Sequence, residues 1–159
     1  MIELELVGVR VELPQNQPIV LLKETTGERF LPIWIGAVEA TSIAFALQGV
    51  ETARPMTHDL IIDVLGALTV TVERVVVTEL RDGTFYAEII MTGPTGETVV
   101  SSRPSDAIAV AVRAGVPVFA DEDVLDEASI LIDDADESET EVEKFKEFLD
   151  TVTPEDFAP

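Results

Sequence analysis

The sequence predicts an α+β domain: mixed, largely antiparallel strands in two meander-like halves, three core helices, and a further helix at the C-terminus. Three observations carry this expectation. Segments that alternate between apolar and polar residues, or are dense in β-branched residues, recur with Gly, Pro and Asp turns between them. Three segments rich in Ala, Ile, Leu or Val carry helix start and stop signals. The chain of 159 residues, 47% hydrophobic, is long enough to bury one continuous core.

Taken in order, IELELVGVRVEL (2–13) alternates with period two and reads as a strand, and Pro14, Asn16 and Pro18 mark the turn after it. IVLLKE (19–24) and RFLPIWIG (29–36) flank Thr25, Thr26 and Gly27, a hairpin loop that makes the opening antiparallel. AVEATSIAFALQG (37–49) has Glu39 in its first turn and ends at a glycine, as a helix does. THDLIIDVLGAL (57–68) reads as a second helix with Thr57 as N-cap and Asp59 early. TVTVERVVVTEL (69–80), the Asp82-Gly83 turn, TFYAEIIMT (84–92) and ETVVSS (97–102) form a second meander. PSDAIAVAVRAG (104–115) is the third helix, stopped by Gly115 and Pro117, and VPVFA (116–120) fits a last strand. DEDVLDEASI, from Asp121, fits a short helix. The domain runs over 1–132; 133–141 is an acidic linker; 142–159 is a C-terminal tail whose Val142, Phe145, Phe148, Leu149 and Val152 share one helical face.

Composition excludes several chemistries. Without cysteine there are no disulfides, thiolate metal sites or cysteine nucleophiles, and with one histidine, His58, a single chain builds no three-His zinc site. The net charge of −21 is concentrated in the tail, where residues 121–159 hold sixteen Asp/Glu against two Lys. Counterion release needs Lys and Arg against phosphate, so this balance opposes tight non-specific nucleic-acid binding and leaves room only for a local arginine site or a metal-bridged contact. No segment has the length of a membrane span and the N-terminus lacks a signal-peptide pattern, so the expected location is cytoplasmic, with no membrane partner.

Two Arg-Pro steps, at Arg54-Pro55 and Arg103-Pro104, each lead into an apolar helix. Pro104 suits the first helical position and Asp106 complements the positive end of the dipole, so part of this punctuation is capping. Arg103 and Ser105 beside uncommitted backbone N–H groups also suit an anion, as does an Arg–carboxylate pair that closes a loop. His58 and Asp59, adjacent on a helix, point about 100° apart, so a His–Asp pair needs Asp106 or Glu39 from elsewhere; His58 fits a general base and equally a cap or a hydrogen-bonded core residue. Asp59 and Asp63, one turn apart, fit a hard cation or two solvated carboxylates. Trp34, the sole tryptophan, reads as core or as an interface anchor.

LPIWIGAVEATSIAFALQG, RPMTHDL, TFYAEI and SRPSDAIAVAVRAGVPVFADEDVLDEA, in this order across about residues 2–130, resemble the bifunctional nuclease domain family of bacteria and plants. EVEKFKEFLDTVTPEDF is similar to the C-terminal extension of many bacterial members. The resemblance implies a compact mixed α/β domain, a homo-oligomer, and a nuclease acting on RNA and DNA. The family's Glu-Ala falls on Glu39 and Ala40, its Arg-Pro-x-Thr-His-Asp on Arg54 to Asp59, and its Ser-Arg-Pro-Ser-Asp on Ser102 to Asp106. The expectation is that Glu39, Asp59 and Asp106 hold Mg²⁺ or Mn²⁺, that Arg54, Arg103 and Ser105 bind the phosphate, and that His58, with Asp59 and Asp106, carries the proton chemistry, with no organic cofactor. The competing expectations are a non-catalytic oligomeric binding or regulatory module and a small-anion or nucleotide sensor.

Overall fold

The computed structural model describes residues 1–12 and 17–132; the expected acidic linker and C-terminal helix lie outside the described residues. The strands are β1 (Ile2–Glu12), β2 (Gln17–Glu24), β3 (Phe30–Trp34), β4 (Thr71–Arg81), β5 (Thr84–Gly93), β6 (Gly96–Ser102) and β7 (Val118–Ala120). The helices are α1 (Ala37–Gln48), α2 (Thr57–Ala67), α3 (Pro104–Ala114) and α4 (Glu122–Ala128). The fold is α+β, a mixed sheet of seven strands with four helices among the described residues.

The sheet order is β3-β2-β1-β7-β4-β5-β6. Strands β1 to β3 and β4 to β6 each pair antiparallel with their sequence neighbours. The three-residue β7 lies between these runs, antiparallel to β1 through Ile2↔Ala120 and parallel to β4 through Val75↔Val118. Local chemistry accounts for the connections. Asp82 (φ 52°) and Gly83 (φ 76°) both take positive φ at the β4–β5 turn, the conformation a two-residue hairpin requires. Pro32 sits in the edge strand β3, where its missing N–H breaks no inner ladder. Gly49 (φ 67°) and Gly115 (φ 69°) close α1 and α3 in the left-handed conformation.

One expectation is corrected at the start of α2. Met56, with extended backbone, and not Thr57, is the N-cap; the Asp59 carboxylate folds back to accept from the Met56 N–H at 3.0 Å, the N3-to-N-cap half of a capping box.

The core is built on α3, whose Ile108, Ala109 and Val110 are fully buried; α1 and α2 pack against it on one side and β4 and β5 on the other. Its alanines at 107, 109 and 111 allow this close approach from several directions. Arg29 secures the far end of the domain. Its guanidinium donates to Glu24 at 2.6 Å, Glu122 at 3.0 Å and Asp126 at 3.1 Å, tying the β2–β3 turn to α4, and it holds the Glu24 carboxyl below its usual range. No helix among the described residues is long and apolar enough to cross a membrane.

Because Ile108 has no exposed surface and neighbours on both sides, Ile108→Ala is expected to lower unfolding free energy by about 2–5 kcal/mol in urea denaturation, with an unchanged m-value.

Candidate functional site

Three helices bring polar residues to one place, and helical spacing decides which. On α3, Asp106 and Arg113 are seven residues apart, two turns, and so share a face. On α2, His58 and Asp59 are adjacent and diverge. The two pairs cross-connect: His58 Nε2 meets Asp106 Oδ1 at 2.9 Å, and Arg113 Nε donates to Asp59 Oδ1 at 2.7 Å. Ser42, one turn beyond Glu39 on α1, completes the junction, with its hydroxyl 2.7 Å from His58 Nδ1 and accepting from Arg113 Nη2 at 3.1 Å. Arg113 also donates to the carbonyls of Ser42 and Ala109, both at 3.1 Å, and its side chain is only 9% exposed.

The outer end of the network is Arg103. Its Nε and Nη2 donate to both oxygens of Asp106 at 2.9 and 3.2 Å, while Nη1 donates to Glu39 Oε1 at 3.1 Å. Glu39 lies back over Gly36, the α1 N-cap, so tightly that any side chain at 36 would occupy its carboxylate's place. Glycine there lets Glu39 reach Arg103.

Proton order follows from the groups available. The Asp106 carboxylate offers only acceptors, so the neutral form of the His58 ring is the one with its proton on Nε2; Nδ1 then accepts from the Ser42 hydroxyl, which accepts from Arg113. The chain from Arg113 Nη2 through the Ser42 hydroxyl and the His58 ring thus donates in one direction, toward Asp106. Burial pushes the Asp106 carboxyl upward, but the hydrogen bonds from Arg103 and His58 outweigh it and hold the group below its ordinary value. Asp59 is likewise raised by burial and brought below its ordinary value by Arg113 and the Met56 N–H. The guanidinium of Arg103 is correspondingly raised, first by its hydrogen bond to Asp106. Among the described residues no buried side-chain N or O atom lacks a hydrogen-bond partner.

Of the residues singled out in the sequence, Glu39, His58, Arg103 and Asp106 line one cleft of about 170 Å³ with Ser42, Met56 and Thr57. Arg54 is exposed and does not line it, so the two Arg-Pro steps meet through His58 and Asp106 and not through their arginines. Asp59 faces Arg113, away from the Glu39–Asp106 pair, and Asp63 is exposed. Ser105 lines a second, larger pocket of about 380 Å³ that shares only Arg103 with the first. Trp34 is 46% exposed and belongs to that second pocket, which excludes the core reading. Sequence reasoning missed Ser42 and Arg113; the signal for the second was the one charge after Asp106 in an otherwise apolar helix, which must find a partner when the helix is covered.

The expected metal trio does not assemble as folded. No group of three or more His, Asp or Glu among the described residues is placed to hold a metal ion, and Asp106 and Glu39 are engaged by Arg103. A divalent ion there would have to displace the guanidinium.

Residues 20–133 match the sequence profile of the bifunctional nuclease domain. The chain belongs to the bifunctional nuclease domain family. It is 52% identical over 162 aligned positions to an uncharacterized protein of Mycobacterium tuberculosis, covering 98% of this chain and 97% of that one. It is 30% identical over 112 positions to bifunctional nuclease 2 of Oryza sativa subsp. japonica, covering 67% of this chain and 34% of the rice protein. It is 29% identical over 108 positions to bifunctional nuclease 2 of Arabidopsis thaliana, covering 66% and 32%. The chain thus spans about a third of the plant proteins it matches.

The pH dependence has a definite sign. Asp106 and Asp59 have folded-state values below the unfolded ones, so their stabilisation is fully present above the ordinary value of 3.8 and is lost as pH falls below it. Asp106→Asn is expected to destabilise by about 1–3 kcal/mol at neutral pH, with the gap to wild type closing below about pH 4, read by urea titrations across pH.

Proposed function

We propose that this domain hydrolyses phosphodiester bonds of RNA or DNA at the cleft where α1, α2 and α3 meet. The observation that carries the reading is Arg103: it stands at the α3 N-terminus with its side chain 64% exposed, backed by the partly buried Asp106–His58 pair. A guanidinium beside a helix N-terminus suits a phosphate by charge and by fork geometry. The family membership and the names of the plant relatives, bifunctional nucleases, supply the substrate class.

The network explains how binding would change reactivity. When Arg103 turns to a phosphate it leaves Asp106, removing the strongest of the contacts that lower that carboxyl. Asp106 then becomes a better proton acceptor at the substrate, while the Nε2–H of His58 keeps it oriented. Asp106 takes the proton of the attacking water as its oxygen bonds to phosphorus, the P–O bond to the leaving strand breaks and that oxygen takes a proton from solvent, Arg103 offsets charge growing on the phosphoryl oxygens, and His58 positions the carboxylate. Asp59, hydrogen-bonded to Arg113, keeps α2 in place and has no part in the chemistry. Mg²⁺ or Mn²⁺ is not assigned to Glu39, Asp59 and Asp106, because Glu39 Oε1 and both oxygens of Asp106 accept from Arg103 while Asp59 accepts from Arg113 and the Met56 N–H.

One feature favours a second reading, a non-catalytic binding or regulatory module: each polar group of the inner cluster is already satisfied by another, as in a network that only closes the fold. Self-association belongs to either reading and is supported by the exposed apolar stripe of Leu60 and Val64 on α2 with Leu68 at its C-cap.

Cleavage of end-labelled single-stranded RNA and DNA should fall about 10²-fold or more in Asp106→Asn and Arg103→Ala relative to wild type purified in parallel. Arms with EDTA, Mg²⁺ and Mn²⁺ read any metal requirement. Equal cleavage by all preparations, or none by any, would transfer the conclusion to the binding module.

A further inference from the structure

The second pocket, of about 380 Å³, lies on the other side of Arg103 from the His58 cleft. Its walls come from β3 and β5, at positions one and six of the sheet, so the sheet curls until their ends share a space. That volume is at the lower end of the range for small-molecule sites, about 300–1,000 Å³.

Two of its sides differ in character. One is aromatic, with Trp34, 46% exposed, and the half-buried Phe85. The other is the start of α3, with Arg103, Pro104 and Ser105. That helix carries no side-chain cap, and its first position is a proline, so the N–H groups of Ser105 and Asp106 stand at a positive dipole end without intrahelical acceptors. Ser105 is 6% exposed, yet its hydroxyl makes no hydrogen bond among the described residues and lines the pocket. A hydroxyl without a partner among the described residues, on a residue only 6% exposed and at a cavity beside an uncapped helix and an arginine, is a place made for an acceptor-rich group.

We infer that this pocket binds a single unpaired nucleotide, its base against Trp34 and Phe85 and its phosphate at Arg103, Ser105 and the α3 N-terminus. Base faces stack on aromatic rings without regard to sequence, and they are available only when unpaired. The pocket has room for one such unit, and a net charge of −21 opposes the many phosphates of a duplex, so the substrate class is single-stranded or terminal nucleotide. This deepens the hydrolysis reading and rests on it only for the claim that the held phosphate is the one cleaved. Shared Arg103 would then set the base in one pocket and the adjoining phosphodiester in the other.

Trp34 is the only tryptophan, so its fluorescence reports the pocket without interference. Titration of the full chain with adenosine 5′-monophosphate is expected to quench it saturably, while adenosine alone binds at least about tenfold more weakly and inorganic phosphate does not quench. Phe85→Leu and Arg103→Ala should each weaken the nucleotide about tenfold with unchanged circular dichroism, and Ser105→Ala by a smaller factor. Calorimetry on Trp34→Phe serves as a second measurement that does not depend on the fluorophore. Absence of both quenching and heat at millimolar nucleotide would overturn the proposal, as would affinity unaltered in Phe85→Leu and Arg103→Ala. Nucleotide binding without cleavage of any strand keeps the pocket and removes the hydrolysis reading; Asp106-dependent cleavage without nucleotide binding removes the pocket alone.

Discussion

The double cross-connection between α2 and α3 is the constraint on which the rest of this structure depends. His58 reaches Asp106 and Asp59 reaches Arg113, with Ser42 of α1 between them. Two neighbours on one helix hold two residues a double turn apart on another, which fixes both the position of α2 and its rotation about its own axis. Each group is buried or partly buried, so removing one partner leaves another desolvated and unpaired, a cost of about 1–3 kcal/mol for each neutral group and more for a charge. Through Asp106 the same junction aims Arg103, and through Arg103 it holds Glu39 and therefore the start of α1. The charged punctuation before an almost wholly apolar α3 is thus a clasp at the N-terminal end of that helix.

This arrangement reconciles an acidic chain with a family named for its action on nucleic acid. A charge of −21 rules against a broad cationic face. Arg29 is held by Glu24, Glu122 and Asp126, and Arg113 by Asp59. Arg103, although paired, keeps most of its side chain in solvent at the junction of two pockets. On the proposed reading, one positioned arginine at a helix N-terminus supplies local phosphate recognition without a broad cationic face.

Much of the fold was legible in the sequence, because its signals are local. Alternation marked the strands, Asp82-Gly83 the hairpin, and Gly49 and Gly115 the helix ends. The central place of β7 was not legible: three residues set no pattern, and their pairing with β1 and β4 is a long-range choice made by the packing of the sheet on α3. In the site, Asp106 as the partner His58 needs was within reach of helix geometry, which showed that Asp59 could not serve. Ser42 escaped notice because a serine in an Ala- and Leu-rich helix is ordinarily a neutral filler, and Arg113 because its role depends on where α2 lies. The trio Glu39, Asp59 and Asp106 was legible as three carboxylates but not as divided, since the arginines that separate them come from α3 itself.

The orientation of the His58 proton tests the central claim most directly. With one histidine in the chain, long-range ¹⁵N–¹H correlation spectra of the labelled protein give a single imidazole pattern, recorded where the ring is neutral. The network requires the Nε2–H tautomer, donating to Asp106 and accepting from Ser42 at Nδ1, and requires that pattern to shift in both Asp106→Asn and Ser42→Ala. An Nδ1–H tautomer, or rapid averaging of the two forms as in a free imidazole, would mean that His58 is not held between Ser42 and Asp106, and the clasp would not exist as described.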